Sequence, residues 1–135
     1  MELVRNLPAS MAAPRLAGPW VGLAAAGRMP DAAVDRIRDL TGALLEHASS
    51  RLDPQTNLEL RVLPRERVVR VEVRWRATNR EAERSDRRRD GRVRSWSRVR
   101  GLADRCGLTR GRDRSCVWAE SSAVSTQKAA HRRTA

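Results

Sequence analysis

Apolar residues along the chain change their spacing several times, and each change marks an element. Val34, Ile37, Leu40, Leu44, Leu45 and Ala48 recur at three- and four-residue steps, the period of a helix with one buried face. Asp31, directly after Pro30, is suited to cap its start. Ser49, Ser50 and the segment RLDPQTN, which contains Pro54, end it near Ala48. The period then drops to two. Leu58, Leu60 and Val62 alternate with Glu59 and Arg61, and Val69, Val71, Val73 and Trp75 alternate with Arg70, Glu72, Arg74 and Arg76. These are two half-buried strands, and the connector LPRER is short enough for a hairpin.

Helical spacing returns with Trp96, Val99, Leu102, Ala103 and Cys106, predicting a helix that Gly107 ends. The polar stretch LTRGRDR reads as a turn, and Ser115 to Ala119 as a closing strand. Residues 1–30 carry Pro8, Pro14, Pro19 and Pro30 and predict an irregular arm. Residues 77–92 lack periodic apolar positions and predict a loop, and residues 121–135 predict a disordered polar tail. One face of the strands is apolar and the other charged. The pattern therefore predicts an α/β two-layer sandwich over residues 31–120, an antiparallel-rich mixed sheet with helices on one face.

Composition changes the picture in three ways. With 135 residues there is room for one core, and with no Phe or Tyr its aromatic content rests on Trp20, Trp75, Trp96 and Trp118. The net charge of +12 attracts anionic partners such as nucleic acid, anionic lipid or an acidic protein. Lys128 is the single lysine, so the charge is arginine, a bidentate ligand of phosphate and carboxylate. The same bias fits codon usage in a high-GC genome. Cys106 and Cys116 lack paired zinc spacing and read as buried thiols in a reducing compartment. Arg5, Arg15 and the prolines interrupt the N-terminal apolar residues, so no run reaches the roughly 20 residues of a membrane span. A secretory signal is not expected either. The expected location is the cytoplasm.

The order of elements, the segment Leu102 to Gly107 (LADRCG) and the strand Val117 to Glu120 (VWAE) resemble the GHKL class of ATP-binding proteins. Within it they resemble the actinobacterial anti-sigma-factor serine/threonine kinases, related to histidine kinase ATPase domains. His47 with Ala48, and the strand Val69 to Arg74, carry the resemblance further back. It implies ATP and magnesium as cofactors and phosphoryl transfer to a serine of an antagonist protein. Asp39 falls at the position of the family's catalytic Glu, and Gly91 with Arg94 would serve the nucleotide. Beyond Asp39 in place of that Glu, the sequence departs from the family at further positions. Ala43 replaces the metal-coordinating Asn, Trp75 the adenine-binding Asp, and Val93 and Ser95 the lid glycines. No metal ligand is assigned.

The resemblance thus implies an eroded nucleotide site and a protein that acts by protein–protein switching. Its expected partner is an antagonist or a sigma factor, with a homodimer as a further expectation and no membrane partner. Blander roles stand beside these. Asp39, next to Arg36 and Arg38, also fits a solvated surface acid, and His47 fits a helix C-terminus. The other functional class is a basic nucleic-acid-binding protein whose Arg87 to Arg89, Arg92, Arg94, Arg98 and Arg100 contact phosphates.

Overall fold

The structure is a computed structural model, and it describes residues 2–10, 12–25, 29–50, 52–65, 67–76 and 89–122. The elements are β1 (Leu3–Pro8), α1 (Ala13–Ala25), α2 (Asp31–Ser49), β2 (Asn57–Pro64), β3 (Val68–Arg76), α3 (Arg89–Leu102), β4 (Arg105–Arg110) and β5 (Arg114–Ser122). The strands form one antiparallel sheet in the order β1-β2-β3-β5-β4. Leu58, Leu60, Val62, Val69, Val71, Val73, Val117 and Ala119 alternate onto one face and join a core with Ile37, Leu40, Leu44 and Leu45 of α2 and Val99 of α3. This is the expected two-layer α/β sandwich, with helices on one side of the sheet.

Residues 1–30 correct the expectation of an irregular arm. Leu3 and Leu7 pair with Val62 and Leu58, making β1 an edge strand, and Pro8 stands at its end, where the missing N–H costs little. In α1, Pro14 lies in the first turn, where N–H groups have no helical partner anyway. Pro19 is inside the helix. Burial of Ala13, Ala17 and Val21, each 0% exposed, compensates for the bond it removes. At the start of α2, Pro30 rather than Asp31 holds the cap position. Its carbonyl accepts from Val34 N at 3.0 Å, and Asp31 lies in the first turn, where a negative charge suits the helix dipole.

The second correction is at the end of α3. The helix stops at Leu102 rather than at Gly107, and residues 105–110 are a strand. Asp104 enforces the change: its N–H donates to the Glu120 carbonyl at 2.8 Å, and its Oδ2 accepts from Ser122 N at 2.7 Å. Gly107 has a different task from ending a helix. It pairs with Trp118 across the ladder, and a Cβ there would lie 2.7 Å from Cζ2 of the indole. Trp118 is accordingly on the outer face of the sheet, not in the core, and Trp96 is half-buried beside His47.

Helix α3 begins at Arg89, inside the expected loop. Residues 77–88 of that loop lie outside the described residues, as does the tail beyond Ser122. Ser121 and Ser122, assigned to the tail, belong to β5.

Candidate functional site

The residues carried over from the family resemblance lie along the seam between α2 and α3. Polar contacts among the described residues bridge that seam. Arg36 Nε donates to the Leu102 carbonyl at 3.1 Å, Arg98 Nη1 meets Glu46 Oε2 at 3.2 Å, and His47 Nδ1 lies 2.9 Å from Ser95 Oγ. The His47 and Trp96 rings stand 5.0 Å apart. Asp39 is exposed on α2, and Ala43, one turn on, is fully buried. Arg94 is exposed on α3, and Gly91 lies in that helix's first turn.

These positions stand at different levels of the fold. Asp39 precedes His47 by eight residues, about 12 Å along a helix axis, whereas Arg94 adjoins Ser95 at the His47 level. Trp75 is buried at the end of β3. Ser95 stands where the resemblance expects a lid glycine, and its hydroxyl binds the neighbouring helix. Ala43 offers a methyl group in a closed core where a metal-bound nucleotide would need an oxygen. Among the described residues no three His, Cys, Asp or Glu side chains gather as a metal site. The described residues do not supply a ligand set for magnesium-bound ATP.

Of the predicted arginines, Arg98 is tied to Glu46, and Arg94 and Arg100 are exposed. Arg87 and Arg88 lie outside the described residues.

The outer face of the sheet carries groups the sequence did not single out. Glu72 sits at its centre, only 5% exposed although no helix covers it, because two arginines fold over it. Arg70 Nε donates to Oε2 at 2.7 Å, and Arg74 Nη2 donates to Oε1 at 2.7 Å. Arg70 also reaches Glu120 at 3.0 Å and lies 4.3 Å above the Trp118 ring. Burial works to raise the Glu72 carboxyl, but the hydrogen bonds from Arg70 and Arg74 outweigh it and hold the group below its ordinary range. At one corner of this face a cleft of about 290 Å³ is lined by Asn6, Thr56, Asn57, Glu59, Arg74, Trp75, Arg76 and Arg114. Asp39, Ala43 and Arg94 do not line it.

Cys106 and Cys116 are half-buried and unpaired. Cys106 packs against the core, and Cys116, between inward-facing Ser115 and Val117, points to the outer face. Burial pushes both thiols up.

Among the described residues no helix is long and apolar enough to cross a membrane. No protein-family model matches the sequence, and no curated protein matches it. The fold is similar to a crystal structure of the RsbU and RsbW domains of Rv1364c from Mycobacterium tuberculosis, with a TM-score of 0.62 and 14% identity. The match covers 90% of this chain and 32% of that one, so this chain spans less than half the length of the protein it resembles. At that identity the likeness is one of fold.

Proposed function

We propose that this protein is a regulator of the anti-sigma-factor kinase type that no longer transfers phosphate and acts by binding a protein partner. The supporting observation is Ala43, fully buried at the position where the resemblance requires a metal-coordinating Asn. The likeness in fold to the RsbU and RsbW domains supports the regulatory class. The expected partner is a sigma factor or an antagonist protein in the cytoplasm.

Two titrations test this. Calorimetry with ATP should give no saturable magnesium-dependent heat in the millimolar range, where binding is worth about 4 kcal/mol. Pairwise titration against the purified sigma factors and antagonist-type proteins of the same genome should give one saturable complex, unchanged by ATP. Magnesium-dependent ATP binding, or no complex with any of these proteins, overturns the reading.

The charge of +12 and the exposed Arg94 and Arg100 favour a second reading, contact with nucleic acid. Its signature is duplex affinity falling steeply with salt, with a slope that counts the phosphates contacted. Absence of duplex binding at low salt removes it.

A further inference from the structure

Where two charged residues of the described strands face each other on the outer face of the sheet, they are opposite in sign, with one exception. Across the ladders Glu59 faces Arg74, Arg61 faces Glu72, and Arg70 and Arg105 both face Glu120. Arg76 and Arg114 face each other. Theirs is the one like-charged pair in the ladders among the described residues, and like charges directly opposite destabilise a sheet. Both side chains are exposed and meet no carboxylate among the described residues. They also line the corner cleft of about 290 Å³. The other charges of that cleft are already satisfied: Arg74 by Glu72, and Glu59 by Arg61. Among the described residues, two guanidinium groups without a carboxylate partner therefore remain beside the side-chain amides of Asn6 and Asn57, which supply further donors.

We propose that this corner is an anion site that takes a phosphate group, held between Arg76 and Arg114. Guanidinium forks match phosphate oxygens bidentately, and a bound dianion converts the repulsive pair into a bridged one. The site lies on the face opposite the α2–α3 seam and does not depend on the nucleotide positions of the family resemblance.

Inorganic phosphate is the probe, titrated into the full chain at low ionic strength and followed by calorimetry and by thermal melting. One saturable site is expected, with a melting temperature that rises with phosphate. Arg76→Gln and Arg114→Gln should each weaken binding about tenfold or more, the usual loss for one charge-assisted contact. Without phosphate each variant should melt at or above the parent, since the repulsion is gone. Arg94→Gln, on α3, should bind phosphate like the parent. An ATP signal arising at this corner would be independent of magnesium and lost in Arg114→Gln, which separates it from the test of the nucleotide site. Non-saturating heat, binding unchanged by both substitutions, or both variants melting below the parent would overturn the proposal. So would duplex DNA binding that depends on Arg76 and Arg114 while phosphate alone does not bind, since the corner would then be a nucleic-acid contact.

Discussion

His47 Nδ1 lies 2.9 Å from Ser95 Oγ in a buried contact that joins α2 to α3. Ser95 stands where the family resemblance expects a lid glycine, and His47 where it expects the end of the conserved helix. Here they hold two helices together at the place where a nucleotide lid would need freedom.

Ser95→Ala should therefore destabilise the protein, by about 1 kcal/mol, the usual net worth of one hydrogen bond. Urea denaturation would show it as a lower midpoint with an unchanged slope. Ser95→Gly, the residue the resemblance expects there, should lose at least as much, because it also introduces a glycine into a helix. Equal stability of all three proteins would show that the contact does not hold the seam.

Ala43→Asn is the direct attempt to rebuild the metal position. Ala43 is fully buried, so the larger polar side chain should cost about 1–3 kcal/mol through overpacking and an unsatisfied amide. Magnesium-dependent ATP binding should not appear. A folded variant that gains such binding would show that one substitution had silenced the site.

Gly107 and Trp118 form a matched cross-strand pair. Gly107→Val places a branched side chain where the indole lies, with its Cβ 2.7 Å from Cζ2, and should displace Trp118 from beneath Arg70. The expected loss is about 1–3 kcal/mol. Gly107→Val combined with Trp118→Ala should recover part of it, and a double-mutant cycle measures the coupling.

Glu72 sets an acid limb of stability. Its carboxyl is held below the ordinary range by hydrogen bonds from Arg70 and Arg74 that outweigh its burial. The folded form therefore binds this proton less readily than the unfolded chain. Its contribution is complete above the ordinary carboxylate range and is lost as pH falls through the lowered folded value. Glu72→Gln should reduce stability at neutral pH and flatten the decline below about pH 4, near the usual glutamate value. An unchanged acid limb in the variant would assign the decline to other carboxylates.

Much of the fold was legible because period alone reveals it. The six apolar positions of α2 and the alternation in β2 and β3 predicted those elements closely, and the apolar and charged faces of the sheet followed. Two of the readings that failed did so for identifiable reasons. The prolines of residues 1–30 were read as breakers, yet Pro8 ends an edge strand and Pro14 opens a helix, both places where a missing N–H is tolerated. Cys106 continued the three- and four-residue spacing of α3, and β4, an edge strand paired on one side only, has too few apolar residues to show its own alternation.

The candidate nucleotide positions were legible only as correspondences. Asp39, Gly91 and Arg94 follow from the family's order of motifs, but whether they share a pocket depends on helix packing. The structure separates Asp39 from Arg94 along the seam.

In α2, β2 and β3 the sequence by itself determined which residues face the core, because burial on one side imposes a period of two on a strand and about 3.6 on a helix. Only the tertiary structure decided which residues meet. Arg76 and Arg114 are 38 positions apart, and the hydrogen-bond register of β3 on β5 sets them face to face. That register arises from long-range pairing. Local periodicity constrains which face a side chain takes, but does not name the residue opposite.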